Sequence, residues 1–131
     1  MLKVLLIFLG AGLGGVLRYW LGGLVQSASG STLPVGTLVV NVSGCLAVGF
    51  LAAALEGPIL VREEVRIGVL IGVLGGYTTF STFSRETLAL ATDGQFAAAA
   101  GNVLLSNILG LAAAWAGWAV ATRWIGGGGG A

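Results

Sequence analysis

Residues 65–90 read VRIGVLIGVLGGYTTFSTFSRETLAL, a segment that joins an apolar half to a polar half. Its length predicts a membrane span, because a hydrocarbon core about 30 Å thick requires roughly 20 apolar residues in a helix. In the second half, Gly75 and Gly76 precede a run of hydroxyl side chains that reaches Ser84. Glycines and threonines form poor helices, and hydroxyls compete for backbone groups. We therefore predict a transmembrane helix that is broken near its middle.

Three further apolar segments accompany this one. Of the 131 residues, 56% are hydrophobic and only 8% are charged, whereas soluble domains average about 25% charged residues. Such a chain cannot cover a water-exposed surface, so the composition predicts an all-α membrane protein with four transmembrane helices. We expect these helices at residues 2–25, 35–55, 65–90 and 96–125. They form a single domain over residues 1–125, followed by a flexible Gly-rich tail at residues 126–131.

The basic residues at the helix ends bear on orientation and assembly. Four spans put both termini on one side, which then holds Lys3, Arg62, Arg66 and Arg123. The opposite side holds Arg18 and Arg85. Orientation follows the Lys/Arg excess in short loops, and this weak excess leaves open both a single orientation and insertion in both. Because four short helices enclose little interior, a polar pathway forms more easily between two copies, and we expect a homodimer.

Small residues recur at helical spacing in two of the segments. Gly68, Gly72 and Gly76 repeat every four residues, as do Gly10 and Gly14. In lipid, small residues allow the close backbone approach that drives helix association. The spacing leaves open whether these glycines pack helices within one chain or between two copies.

The ionisable residues exclude several classes of function. A net charge of +1 gives no attraction to nucleic acid, so we expect no nucleic-acid partner. The chain has no histidine, and its single cysteine, Cys45, cannot form an intrachain disulfide or a thiol metal cluster. A serine nucleophile would need a base, and the carboxylates of Glu56, Glu63, Glu64 and Asp93 fall in predicted loops. We therefore expect that the protein is not an enzyme.

Polar side chains within the spans are the candidates for function, because they are costly there and mark pathways. Asn102 and Ser106 lie four residues apart on the last helix and so share a face. The other candidates are Thr37 and Asn41 on the second helix, the hydroxyls of residues 78–84, and Glu86.

The predicted break has its own chemistry. Carbonyls and amides freed at membrane depth are tolerated only where protein or a water-filled cavity satisfies them, and freed carbonyls coordinate cations in transporters. Phe80 and Phe83 are three residues apart and project from one face. Two such rings are ordinarily packing residues, but among polar neighbours their electropositive edges can face an anion.

With these residues the chain resembles, over nearly its whole length, the small fluoride channels called Fluc or CrcB. Residues 14–19 (GGVLRY) and 36–44 (GTLVVNVSG) are similar to the motifs of the family's first and second helices. Residues 75–84 (GGYTTFSTFS) carry the longest shared pattern. Asn102 and Ser106 stand where the family carries polar residues on its fourth helix. Fluoride as the ion follows from the resemblance alone.

The resemblance implies passive, fluoride-selective export across the inner (plasma) membrane by a dual-topology antiparallel homodimer with two pores. It implies that Phe80 and Phe83 offer ring edges to fluoride and that Asn41 offers an amide donor. It also implies a polar route with an entrance near Arg18, lined by Thr37, Thr82, Asn102, Ser106 and Glu86. A structural Na⁺ ion at the dimer centre is implied as well, held by the backbone carbonyls of Gly75 and Thr78 from each subunit.

Two other readings compete with the channel. A small dual-topology multidrug/proton antiporter also has four helices, but it requires an ionisable residue deep in a span, typically a glutamate in the first helix. Here the first helix contains only Lys3 and Arg18, near its ends. A non-conducting assembly subunit would use its polar residues only for packing, since interhelical hydrogen bonds in membranes average about 0.6 kcal/mol. A role in packing alone does not explain why so many polar and aromatic residues fall within residues 75–84.

Overall fold

A computed structural model describes residues 1–56, 59 and 61–126 of the chain. Its α-helices are α1 (Leu2–Ser29), α2 (Val35–Glu56), α3 (Glu63–Ile67), α4 (Leu74–Tyr77), α5 (Phe80–Thr92) and α6 (Phe96–Gly126). A π-helix, π1 (Gly68–Val73), joins α3 to α4. The rest of the predicted Gly-rich tail, residues 127–131, lies outside the described residues, as does Pro58 of the expected second loop.

Four helical segments are long and apolar enough to cross a membrane, namely Leu2–Ser29, Val35–Leu55, Glu63–Thr92 and Phe96–Ile125. The chain is therefore a multi-pass membrane protein. The first span runs beyond Val25 to Ser29 and ends at Gly30, which adopts the left-handed conformation (φ 58°) that glycine tolerates. Exposed aromatic rings include Trp20, in the second half of α1, and Trp124, near the end of α6. Trp side chains favour membrane–water interfaces.

Glycines bring the helices into close contact within one chain. A Cβ atom added at Gly10 would lie 2.7 Å from the Gly68 carbonyl oxygen, and one at Gly14 would overlap the backbone of Val73. On the other side of the bundle, α2 packs against α6, where a Cβ atom at Gly117 would overlap the Leu46 carbonyl. The repeated glycines therefore allow the backbones of α1 and the third span to pack closely within one chain. This is the first of the two alternatives, packing within one chain or between two copies.

The third span, Glu63–Thr92, bends between α4 and α5. Thr78 (φ −79°, ψ 155°) and Thr79 (φ −149°, ψ 111°) both have extended backbone. The Thr78 hydroxyl donates back to the Leu74 carbonyl at 2.9 Å, and the Thr79 hydroxyl oxygen accepts from the Thr82 N–H at 3.1 Å. The Leu74 carbonyl also accepts from the Thr78 N–H at 3.0 Å, so the first hydroxyl adds to the last backbone bond of α4. The second hydroxyl caps the start of α5.

Candidate functional site: two cavities at the bend of the third span

Asn41 holds the bend from the neighbouring helix. Its Oδ1 atom accepts from the Thr79 N–H at 2.7 Å, and its Nδ2 atom donates to the Thr79 carbonyl at 3.0 Å. The side-chain amide thus satisfies both backbone groups of a buried residue whose side chain is only 6% exposed. One N–H of the Asn41 amide remains for another acceptor, because an amide nitrogen carries two donors.

A first cavity of about 740 Å³, which we call the mouth cavity, lies between α1, α2 and α5. It is lined by four of the predicted site residues, namely Arg18, Thr37, Thr82 and Glu86. Gln26, Asp93 and Gln95 add further polar groups at its edge. One guanidinium and two carboxylates therefore face the same cavity, which makes its charge sensitive to small changes in sequence.

Thr37 and Glu86 join α2 to α5 in the wall of the mouth cavity. The Thr37 hydroxyl donates to Glu86 Oε1 at 2.8 Å. The second carboxylate oxygen, Oε2, is buried and has no hydrogen-bond partner among the described residues. A buried polar atom without a partner is costly, and the bond from Thr37 to Oε1 is the one hydrogen bond that the described residues give this carboxylate.

A second cavity of about 360 Å³, which we call the aromatic cavity, lies on the other side of the bend. The predicted site residues that line it are Asn41, Gly75, Thr78, Phe80, Phe83 and Ser106. The rings of Phe80 and Phe83 contact each other with centroids 5.5 Å apart and a tilt of 44°. Their surroundings differ, since Phe83 is 9% exposed and Phe80 is 80% exposed.

Thr79 lines both cavities and separates them at the bend. The mouth cavity opens on its Thr37 side, and the aromatic cavity opens on its Phe80 side. Thr79 and its two hydrogen bonds to Asn41 therefore lie between the two cavities.

Asn102 lies outside both of these cavities. Its Nδ2 atom donates to the Thr87 hydroxyl at 2.8 Å, and that hydroxyl donates to the Phe83 carbonyl at 2.8 Å. This chain of hydrogen bonds ties α6 to α5 behind the buried ring of Phe83. The described contacts of Asn102 are therefore those of a residue that positions a helix.

The carbonyls of Gly75 and Thr78 have lost their helical partners. In a continuous helix the Thr79 and Thr82 amides would donate to them, but these amides donate to Asn41 Oδ1 and to the Thr79 hydroxyl instead. Gly75 is exposed, with open space where its Cβ atom would be. Neutral carbonyl oxygens suit a hard monovalent cation, so the residues present fit the Na⁺ ion that the family implies.

Sequence reasoning missed some of the residues that hold this site together. Thr79 was counted only as part of a polar run, yet it lines both cavities and caps α5. Tyr77 and Ser43 share a hydrogen bond of 2.8 Å between their hydroxyl oxygens, which links α4 to α2. A tyrosine within a polar segment and a serine two residues after Asn41 were the available signals, but pairing them requires the tertiary structure.

Comparison with known proteins identifies the family. The profile described as "CrcB-like protein, Camphor Resistance (CrcB)" matches residues 5–118, which span all four membrane segments. The chain belongs to the CrcB family. The matched region includes the bend, both cavities and every predicted site residue.

Several CrcB relatives are similar to the chain over most of their length. One from Paramagnetospirillum magneticum is 46% identical over 124 residues, which cover 93% of this chain and 97% of the relative. One from Solibacter usitatus is 45% identical over 122 residues, with 93% and 100% covered, and one from Opitutus terrae is 51% identical over 115 residues, with 86% and 87% covered. Each of these relatives is named "Fluoride-specific ion channel FluC", a function that is not enzymatic.

Proposed function

We propose that the protein is a fluoride-selective ion channel that lets fluoride leave the cell passively across the inner membrane. Its CrcB relatives are named fluoride-specific ion channels, which supports fluoride as the ion and a channel as the means. The observation that carries the proposal is the pair of cavities on either side of the Asn41–Thr79 contact, because they place guanidinium, hydroxyl and amide groups among the membrane-spanning helices.

The groups along this route suit a small, strongly hydrated anion. A pore has to replace the hydration shell with donors while keeping each site weak enough for the ion to leave. The Thr82 hydroxyl, the spare N–H of Asn41 and the ring edges of Phe80 and Phe83 are all weak donors. The Thr37 hydroxyl joins them when its hydrogen bond to Glu86 Oε1 is exchanged for one to fluoride. The fixed cation, Arg18, lines the wide mouth cavity and does not line the aromatic cavity, where it would hold fluoride too strongly.

We further propose that the working unit is an antiparallel homodimer with dual topology and two pores. The Phe80 ring has polar residues as its neighbours in the chain, and it is 80% exposed in the single chain. A second copy would cover this ring and close the aromatic cavity. The exposed face that carries Gly75 also holds carbonyls that have no helical partner. Such groups are tolerated at membrane depth only against protein or water.

A Na⁺ ion between the two copies would complete this face. The carbonyl oxygens of Gly75 and Thr78 from each subunit would hold it, and the ion would supply a positive charge that binds the two bent spans together. In that arrangement Asn41 and Thr79 act indirectly, because their hydrogen bonds keep the Thr79 amide away from the Gly75 carbonyl. Ser106 and Asn102 then serve the fourth helix, the first at the aromatic cavity and the second through Thr87.

A proton-coupled antiporter would need a residue in its first span that carries the proton, and the first span of this protein has no such residue. The α1 helix, Leu2–Ser29, is described throughout and contains no acidic residue. Glu86 lies on α5 and bonds to Thr37 at the mouth cavity.

The test is fluoride efflux from liposomes that contain the purified protein, read with a fluoride electrode while valinomycin and K⁺ clamp the voltage. Chloride efflux is followed in parallel. We expect fast fluoride release without chloride release. Folded protein that releases no fluoride would exclude the channel, and equal release of both anions would exclude its selectivity.

A further inference from the structure

We infer that Gln26, a residue of α1, is a positioning residue that holds Thr37 in the wall of the mouth cavity. The inference rests on the proposed fluoride channel. It adds that Gln26 helps to determine how strongly fluoride is held in the mouth cavity. Gln26 lies in the last turn of α1 and Thr37 in the first turn of α2, and a short loop joins the two helix ends.

The side chain of Gln26 binds three backbone groups of the segment that leads into α2. Its Nε2 atom donates to the carbonyls of Ser31 at 2.8 Å and Leu33 at 3.0 Å. Its Oε1 atom accepts from the Gly36 N–H at 3.0 Å. Both amide hydrogens and one of the two acceptor lone pairs are used, so this single side chain makes three of its four possible hydrogen bonds to the segment.

The bond to Gly36 supplies a partner that the start of α2 lacks. The first four N–H groups of a helix have no intrahelical acceptor, and Gly36 is the second residue of α2. The Val35 N–H is satisfied by the Leu33 carbonyl at 2.8 Å, a carbonyl that Gln26 also binds. Gln26 thus acts as the side-chain cap of a helix to which it does not belong.

The backbone that Gln26 fixes continues directly into the wall of the cavity. Gly36 packs so closely on Gly22 that a Cβ atom there would overlap the Gly22 carbonyl oxygen, so α2 begins in contact with α1. The next residue, Thr37, donates to Glu86 Oε1 at 2.8 Å. Gln26, Thr37 and Glu86 all line the mouth cavity.

The loop has a second, purely local set of side-chain bonds that serves as a control. The Ser29 hydroxyl donates to the Gln26 carbonyl at 2.9 Å and accepts from the Ser31 N–H at 3.3 Å. These bonds shape the turn but do not reach α2. Removing them tests whether any disturbance of the loop changes how fluoride is held, or whether only the loss of the bond to α2 does so.

The experiment measures conductance against fluoride concentration in planar bilayers for wild type, Gln26→Met and Ser29→Ala. Methionine keeps the length of the side chain and removes all three bonds. We expect Gln26→Met to raise the half-saturating fluoride concentration by about threefold to tenfold. A change of this size corresponds to the net free energy of one or two hydrogen bonds. Ser29→Ala should leave that concentration at the wild-type value.

The decisive comparison repeats Gln26→Met in a Thr37→Val background. If Gln26 acts through Thr37, the two changes are not additive, and Gln26→Met should cause no further shift once the Thr37 hydroxyl is gone. If Gln26→Met does not yield folded dimers, Gln26→Asn replaces it, because its shorter side chain cannot reach both Leu33 and Gly36.

The outcomes separate this inference from the proposed function. Wild-type protein without fluoride conductance would overturn the channel itself, and this inference with it. A conducting wild type whose half-saturating concentration is unchanged in Gln26→Met would overturn the inference alone, even if fewer channels fold. A shift of equal size in Ser29→Ala, or in both Thr37 backgrounds, would also overturn it.

Discussion

The side-chain amide of Asn41 takes the place of two helical partners of Thr79. In a continuous helix the Thr79 N–H would bind the Gly75 carbonyl and the Thr79 carbonyl would accept from Phe83. Here both groups bind Asn41, at 2.7 and 3.0 Å. One residue of α2 therefore stabilises the bend of the third span and, through it, frees the carbonyl of Gly75.

Asn41→Asp is expected to suppress fluoride flux. A carboxylate still accepts from the Thr79 N–H but repels the Thr79 carbonyl and any anion beside it. With about 4 kcal/mol of repulsion at 4 Å in an effective dielectric of 20, flux should fall by about 100-fold or more. Efflux from liposomes measures the change, and gel filtration checks the assembly. Near-normal flux in a well-assembled variant would remove Asn41 from the pathway.

Replacing Phe80 and Phe83 together by isoleucine should abolish most conduction while the protein still assembles. Ring-edge contacts contribute about 0.5–1.5 kcal/mol each, so losing two of them predicts a loss of flux of up to about 100-fold. The matched control is Phe8→Ile with Phe96→Ile, because both of these rings are exposed and neither lines a cavity. If the Phe80/Phe83 variant conducts as well as this control, the rings are packing residues, as an assembly subunit would require.

The charges of the mouth cavity should act on flux in opposite directions. Arg18→Gln is expected to lower fluoride flux, because it removes the cation that raises the local anion concentration. Asp93→Asn is expected to raise it by relieving repulsion. Both effects should shrink between 0.01 M and 1 M of a salt of impermeant ions, since the Debye length falls from about 30 Å to about 3 Å. Effects of the same sign, or effects independent of salt, would refute an electrostatic role.

Sodium removal should weaken the dimer if the carbonyls of Gly75 and Thr78 hold the ion. At a concentration 100 times its dissociation constant, a ligand that binds only the folded state adds about 2.7 kcal/mol. We expect the thermal midpoint and the fluoride flux of the purified protein to fall in N-methyl-D-glucamine buffer and to recover when Na⁺ is restored. Equal midpoints in the two buffers, at matched ionic strength, would argue against the site.

Gly117→Ala should destabilise the contact between α2 and α6. The new methyl group would overlap the Leu46 carbonyl and lie 2.8 Å from the Phe50 amide nitrogen, and overpacking of this kind costs about 1–3 kcal/mol. Gly12→Ala is the control, because a Cβ atom there meets nothing within 4 Å. Thermal unfolding in detergent should show a lower midpoint for Gly117→Ala alone. Equal midpoints would mean that α2 and α6 can move apart to accept the methyl group at no cost in stability.

The four spans could be predicted because the information lies in composition and local order. An apolar run of sufficient length has few alternatives to a membrane helix, and the glycines and threonines at residues 75–84 mark the position of the bend. The contacts that shape the site are not local. Nothing near Asn41 in the chain indicates that its partner is Thr79, since 38 residues separate them.

The two phenylalanines illustrate the same limit. Spacing predicted that Phe80 and Phe83 project from one face, and in the structure their rings contact each other, but spacing could not predict that one ring is buried and the other exposed. That difference depends on which side of α5 faces α6 within the same chain. Asn102 was assigned to the polar route by resemblance, whereas its described hydrogen bond joins it to Thr87 behind Phe83.

The π-helix of residues 68–73 gives the third span tolerance for one particular change in length. A π-helical turn holds about one residue more than an α-helical turn, so the extra residue is taken up locally and the helix faces before and after it keep their relative orientation. Deleting one residue there would let α-helical winding return with Thr79 still directed at Asn41. The Lys3–Glu63 ion pair of 3.0 Å at the start of the span should persist together with that contact. A deletion within the α-helical winding of α5 has no such turn to absorb it and would rotate the residues beyond it by about 100°.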